Sequence, residues 1–197
     1  MSVVDLRGRE GAGTAGRVLG EAFADDPVWS WLVRGRDRDA RLRTVFAAVA
    51  RAAQRRAGAR VLATAEQTAA AVWLPPGLHG TDVADVLLTG PVMVRGLRAG
   101  VLRGARLQAV LERHRPEAPH WYLEVLGAVP HARGTGSGRR VVEPVLAGCD
   151  DAGLTAYLES SNPRNWPFYE RLGFVRGEPL PVPRGCPLMV PMTRAPR

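Results

Sequence analysis

The chain predicts an α+β fold organised around one central βαβ unit, and three neighbouring stretches predict it. Trp121–Val129 (WYLEVLGAV) is rich in aromatic and β-branched residues, the composition of a strand. Arg133–Gly138 (RGTGSG) sets glycine at every second position, so the backbone can turn tightly with no Cβ in the way of a ligand. Arg139 to Ala152 then takes up helical apolar spacing, and 155–159 reads as the next strand. Strand, glycine loop and helix start, in that order, aim free backbone N–H groups and the positive end of a helix dipole at one point. Such a point binds phosphate.

The other elements follow in chain order. Residues 14–24 (TAGRVLGEAFA) read as an amphipathic helix with Val18, Leu19, Ala22 and Phe23 on one side. Asp25-Asp26-Pro27 breaks it, because a residue before proline avoids helical backbone. Trp29, Trp31 and Leu32 form a short apolar cluster. Arg38 to Arg56 is a second helix, with Leu42, Val45, Phe46 and Val49 at i, i+3, i+4 and i+7. Ala59 to Ala63 and Thr68 to Leu74 are strand-like, with Glu66-Gln67 as a hairpin turn and Pro75-Pro76-Gly77 as the stop. Thr81 to Arg115 is helical, but Gly90-Pro91, Gly96, Gly100 and Gly104 should divide it into two or more short helices. Residues 116–120 connect it to the central strand. Pro144 should bend helix 139–152. A helix over 165–172 and a strand pair around Phe174 and Leu188 to Met192 complete the fold, with Gly173 at a helix C′ position.

At 197 residues the chain can bury a core of its own, and a single domain over 1–197 is expected. No apolar run approaches the roughly 20 residues of a membrane span. The N-terminal MSVVDLRGRE carries charges where a signal peptide needs apolar residues, so a cytoplasmic location is expected. Cys149 and Cys186 lack metal-ligand spacing and suit a reducing compartment; no metal site is expected. The net charge of +8 invites a nucleic-acid reading, but all 27 basic residues are arginine, and lysine and isoleucine are both absent. That is the mark of GC-rich coding. Arg34 to Asp39 alternates sign as a solvated face does, and no nucleic-acid readout motif is present, so no such partner is expected.

Three known loops compete for RGTGSG. A P-loop needs a lysine, and the chain has none. A dinucleotide fingerprint needs its third glycine at 139, where Arg139 stands, although Glu159 after the next strand echoes the ribose-binding acid. The third is the pyrophosphate loop of the GCN5-related N-acetyltransferases (GNAT), with signature Gln/Arg-x-x-Gly-x-Gly/Ala. Arg133 to Gly138 resembles it at every specified position. Tyr157 to Phe174 (YLESSNPRNWPFYERLGF) also resembles that family's strand, catalytic helix and Gly-Phe ending. The likeness covers about 120–194 and extends weakly to Ala22–Pro27 and Ala71–Pro75. His114 to Leu123 and the SxPRNxPFYERLGF segment most resemble the puromycin N-acetyltransferase type of actinomycete enzyme.

The resemblance implies a GNAT fold: a mixed, mostly antiparallel central sheet flanked by helices, with a splayed central strand pair at the cofactor site. An acceptor-side half would span about 1–118 and an acetyl-CoA-binding half about 119–197. The implied function is acetyl-CoA-dependent transfer of an acetyl group to a primary amine of a small molecule, an antibiotic or another secondary metabolite. Main-chain groups of Leu126, Gly127, Ala128 and Val129 would pair with pantetheine. Amides of Gly134, Thr135, Gly136, Ser137, Gly138 and Arg139 would hold the pyrophosphate, with Arg133, Arg139 or Arg140 adding charge. Asn165 would contact the pantetheine arm or cap its helix. Tyr169 would protonate the departing thiolate, which a phenol with a pKa near 10 can do.

The amine must lose a proton, and Glu124 is the leading base, expected on one strand face with Tyr122 and Leu126. Glu159 and His120 are its rivals. Neither cysteine lies in the matched motifs, so direct attack is expected. Asp25, Asp26, Asp82 and Asp85 are acidic candidates for meeting a cationic amine. Homodimers are common in the resembled family, so a homodimer stays open. The other reading is a non-catalytic module that binds acyl-CoA or a protein.

Overall fold

The computed structural model describes residues 2–78 and 83–197. The sheet starts with a strand that the sequence pattern does not announce, β1 (Val3–Asp5). Three residues are too few for a period to register. Helix α1 (Gly8–Ala22) starts six residues before the expected 14, its glycine-rich first turns being held by burial of Gly11, Ala12 and Ala15. Asp26 ends the turn after it and caps α2 (Pro27–Leu32), with Pro27 in the first turn where its missing N–H costs nothing. Helix α3 (Arg38–Arg55) buries Leu42, Val45 and Phe46 as expected.

Strands β2 (Arg60–Thr64) and β3 (Ala69–Leu74) form the hairpin. Gln67 takes a positive φ in its turn, and Thr64 Oγ1 accepts from the Thr68 N–H at 2.9 Å. Every residue of β3 is buried, as befits a strand covered on both faces.

In the middle region, α4 (Val83–Leu97) runs through Gly90-Pro91 without ending there. The break falls instead at a 3-10 turn, Arg98–Gly100, followed by α5 (Val101–His114). Gly104 does not interrupt α5. Proline removes one helical hydrogen bond but does not by itself end a helix held by tertiary packing.

The central unit is β4 (His120–Ala128), the glycine loop, α6 (Ser137–Ala152) and β5 (Thr155–Ser160). Helix α6 starts two residues before the expected Arg139 and includes Ser137 and Gly138. A 3-10 turn (Pro163–Asn165), α7 (Trp166–Arg171), β6 (Val175–Arg176) and β7 (Val190–Arg194) follow. Gly173 has φ +95° just past α7, as expected of a C′ glycine.

The strands form one seven-stranded sheet in the order β1-β2-β3-β4-β5-β7-β6. β4 and β5 are parallel and the remaining pairs antiparallel, the mixed, mostly antiparallel arrangement expected. On one face Val18, Leu19, Phe46, Val72, Tyr122 and Val125 pack with α1, α2, α3 and α5. On the other, Trp73, Leu123, Val141, Val145, Leu158 and Met192 pack with α6 and α7. No helix of the described residues is long and apolar enough to cross a membrane.

Two irregularities of β4 shape the site. The first is a bulge. Val72 pairs with Val125, but Trp73 pairs with Leu123, leaving Glu124 as the extra residue. The extra residue reverses the alternation, so Tyr122 packs in one core and Leu126 against the other. The expectation that Tyr122, Glu124 and Leu126 share a face is therefore corrected: period 2 holds only along an unbulged strand. The second is a splay. β4 and β5 pair only at His120–Tyr122 with Thr155–Tyr157, and beyond that the two strands part.

Candidate active site

The glycine loop closes one side of the splay. Gly134 and Gly136 take φ of +79° and +83°, values that L side chains adopt only with strain. The left-handed Gly136 leads directly into α6. The N–H groups of Ser137, Gly138 and Arg139 therefore lie in a first helical turn, where no intrahelical carbonyl reaches them. Side chains brace the loop from behind. Thr135 Oγ1 donates to the Ala132 carbonyl at 2.8 Å, and Arg140 donates from Nη2 to Ser137 Oγ at 2.9 Å.

A cavity of about 560 Å³ opens in front of this loop. Leu126, Gly127 and Ala128 form its strand wall, and Gly134 with Gly136–Arg139 its loop wall. Arg133, Arg139, Arg164 and Arg171 also line it, against two carboxylates, Asp25 and Asp26. Two of the expected binding residues lie off this wall. Val129 is buried and its N–H donates to the Thr68 carbonyl at 2.9 Å, while the Thr135 hydroxyl is engaged within the loop. Of the arginines, Arg139 is paired with Glu143 at 2.5 Å and Arg133 donates to the Ala22 carbonyl at 3.1 Å. The chemistry of these walls fits coenzyme A: positive-φ glycines, orphan helix amides and arginines for phosphates, and a stretch of strand paired to β3 but not to β5 for the amides of the arm.

A second cavity, of about 430 Å³, lies on the other side of the splay. Its sheet side carries Tyr122–Leu126 and Leu158–Ser161, and its helical side comes from α2, α3, α4 and α5. The two cavities share Phe23, Leu126, Asn165 and Tyr169. Tyr169 is 8% exposed and packs edge-on against Phe168 and Phe174. Burial, with the charge of Asp26 as a second cause, pushes its pKa above the ordinary phenol value. Its proton stays in place at neutral pH.

Asn165 makes no side-chain cap hydrogen bond at the start of α7. The capping reading is corrected: Asn162 caps the preceding 3-10 turn instead, accepting from the Arg164 N–H at 3.1 Å. Asp26 is a structural tie. Its Oδ1 accepts from the N–H groups of Val28 and Trp29 at 2.9 and 3.0 Å, and Oδ2 accepts from the Ser161 hydroxyl at 2.7 Å. Burial raises its pKa despite these bonds. Asp25 and Asp26 both line the first cavity and not the second. Asp82 lies outside the described residues, as does the side chain of Asp85.

Both expected carboxylates, Glu124 and Glu159, line the second cavity. Glu124 is exposed, on the bulge. Glu159 is partly buried and accepts from Tyr122 Oη at 2.8 Å, and burial raises its pKa. The Arg115 guanidinium lies 4.0 Å from the centre of the Tyr122 ring. This Arg115–Tyr122–Glu159 group is visible only once β4 and β5 are side by side; no spacing in the chain announces it. His120 is buried at the start of β4, its Nδ1 2.8 Å from the Ala118 carbonyl, and lines neither cavity. Cys149 and Cys186 line neither cavity, and burial pushes both thiols up to about 11. Among the described residues no group of three His, Cys, Asp or Glu side chains is placed to hold a metal.

Residues 98–174 match the model of the acetyltransferase (GNAT) family. The chain is similar to an uncharacterised N-acetyltransferase of Schizosaccharomyces pombe, 28% identical over 82% of this chain and 69% of that protein. It is also similar to a 5-NmdU N-acetyltransferase of Pseudomonas phage PaMx11, 35% identical over 34% of this chain and 49% of that protein. Among solved structures it superposes on an acetyltransferase from Corynebacterium glutamicum described as histone acetyltransferase HPA2 and related acetyltransferase. The TM-score is 0.72 at 24% identity, covering 100% of this chain and 96% of that one. The fold is the GNAT fold. With the glycine loop, both splayed strands and Tyr169 inside the matched segment, the sequence match and the shared fold together support an acetyltransferase of the GNAT superfamily.

Proposed function

We propose that the protein moves an acetyl group from acetyl-CoA to the primary amine of a small molecule, of the antibiotic or secondary-metabolite kind, by direct attack. The observation that carries this reading is the junction of the two cavities at Tyr169 and Leu126. A non-catalytic acyl-CoA or protein-binding module has no use for a second cavity that meets the first at a buried phenol.

Amides of Gly134 and Gly136–Arg139 would hold the pyrophosphate, with Arg133 and Arg164 beside them, and Leu126–Ala128 and Asn165 the pantetheine arm. Acetyl-CoA supplies an activated acetyl carbonyl and a thiolate leaving group. Backbone N–H groups of splayed β4 would polarise the carbonyl oxygen. Tyr169 Oη holds the proton that the leaving sulfur takes up. The amine proton goes to Glu124, which the bulge aims at the acceptor cavity, directly or through water.

The test is calorimetric titration with coenzyme A, followed by thiol release from acetyl-CoA with a panel of small primary amines. Micromolar coenzyme A binding and amine-dependent thiol release are expected. Tight coenzyme A binding without turnover on any amine would support the binding-module reading instead.

A further inference from the structure

The connection between α1 and α2 spans the gap that the parted strands leave. At one end it rests on β4. A Cβ on Gly127 would lie 2.6 Å from the Ala22 Cβ and 3.1 Å from the Phe23 ring, so glycine lets the end of α1 approach the strand this closely. At the other end it is bonded to the chain just past β5, where the Ser161 hydroxyl donates to Asp26 Oδ2 at 2.7 Å. Two arginines hold the middle. Arg133 of the glycine loop donates to the Ala22 carbonyl at 3.1 Å, and Arg38 of α3 donates to the Ala24 carbonyl.

The Asp26 carboxylate is buried, and the N–H groups of Val28 and Trp29 fix its Oδ1, which leaves Oδ2 for Ser161. A hydrogen bond to a carboxylate is among the stronger kinds. Asp26 lines the first cavity and Ser161 the second, so the bond crosses from one to the other.

This end of β5 leads to the reacting group. From Leu158 to Ser160 the strand keeps its ladder to β7, whereas its ladder to β4 stops at Tyr157. The chain then runs from Ser161 through the 3-10 turn that carries Asn165 into α7, which carries Tyr169. Helix α7 has six residues, too few to hold a fixed place by its own hydrogen bonds. The charge of Asp26 is felt at the Tyr169 phenol, so the tie lies near it.

Resting on the acetyltransferase reading above, we infer that Asp26 and Ser161 are positioning residues for the transfer step. Their bond fixes the distance across the splay between β4, which would present the thioester, and the Tyr169 hydroxyl. Neither side chain exchanges a proton with the substrates.

Kinetics on the full chain test this. Thiol release from acetyl-CoA is measured with hexylamine, phenethylamine and spermidine, and the fastest of the three is kept for the variants. Ser161→Ala leaves both N–H bonds to Asp26 Oδ1 in place. It should slow transfer in a single turnover by about tenfold to a hundredfold, the range that misplacing a reacting group costs. Coenzyme A affinity by calorimetry and the amine KM should both stay within about twofold of wild type, as for an interaction made only in the transition state. Ser161→Thr keeps a hydroxyl and should restore most of the rate. On a Tyr169→Phe background, Ser161→Ala should cost less than about twofold, because a misplaced phenol and an absent one act at the same step. A wild-type rate in Ser161→Ala, a rise in the amine KM with the rate kept, or a full additional loss in the double variant would overturn the inference while leaving the acetyltransferase reading intact. Coenzyme A binding with no thiol release for any of the three amines would overturn that reading, and the inference with it.

Discussion

Tyr122 Oη donates to Glu159 Oε2 at 2.8 Å, tying the last β5-paired residue of β4 to a point on β5 just past its register partner Tyr157, where the strands part. The bond favours the ionised carboxylate, while burial favours the neutral acid and is the larger effect. Glu159 therefore ionises above the ordinary glutamate value, and its charge is lost as pH falls through that raised value. If this charge holds the acceptor ammonium, the KM for the amine should rise on the acid side, earlier than a solvated glutamate would cause. Glu159→Gln should raise that KM about tenfold or more, the size of a charged hydrogen bond, and flatten its pH dependence. Tyr122→Phe, which removes a bond that lowers the pKa, should move the acid limb to higher pH. Steady-state kinetics over pH 5 to 9 would contradict the assignment if Glu159→Gln kept the wild-type KM profile.

Tyr169 gives a sharper separation of binding from chemistry. Burial and the nearby Asp26 charge keep its phenol protonated well beyond neutral pH. Tyr169→Phe retains the edge-on ring packing against Phe168 and Phe174 and removes only the hydroxyl. Transfer should slow by about a hundredfold, in the range of a lost general acid, with coenzyme A affinity nearly unchanged. A full single-turnover rate in this variant would remove Tyr169 from the mechanism.

Gly136 tests the loop without touching a side chain that could bind. Its φ of +83° costs an alanine about 1–2 kcal/mol. The loop must then strain or shift its amides. Gly136→Ala should weaken coenzyme A binding roughly tenfold, since about 1.4 kcal/mol is a factor of ten. Gly148→Ala, on the exposed side of α6 with open space around its added Cβ, is the control. It should leave affinity unchanged and stabilise the helix by about 0.5–1 kcal/mol. Equal affinities in the two variants would show that loop geometry does not hold the cofactor.

What could be read from the chain was what local chemistry determines. Glycines at alternate positions between a strand and a helix specify a tight positive-φ turn into a helix by backbone conformation alone, so the geometry of RGTGSG was legible from its own residues and their neighbours. Tyr169 and Asn165 were legible through the motif around them, and both stand where the cavities meet. Features that depend on two segments at once were not. The bulge at Glu124 is a property of the β3–β4 register, and without it the strand's faces are assigned wrongly. Asp26 reads as a surface or capping acid, yet its tie to Ser161 spans 135 positions. Gly90-Pro91 reads as a break because its sequence signal is strong, whereas packing carries α4 through it.

The far end of α6 carries the last expectation. Asp150 accepts from both terminal nitrogens of Arg194 at 2.7 Å and from the Arg197 N–H at 2.8 Å, fastening the helix to β7. These bonds, with Arg194 first, hold the Asp150 carboxyl down at about 2, against 3.8 ordinarily. A depressed carboxylate stabilises the fold above its unfolded value, and that contribution fades as pH falls from about 4 toward 2. Asp150→Asn leaves the Arg194 guanidinium, 4% exposed, without its counter-charge. The variant should melt several degrees below wild type at pH 7, and the gap should close on acidification toward pH 2. Thermal unfolding followed by circular dichroism across that range measures it. A gap independent of pH would mean that packing around Arg194, and not the charge of Asp150, secures this end of the helix.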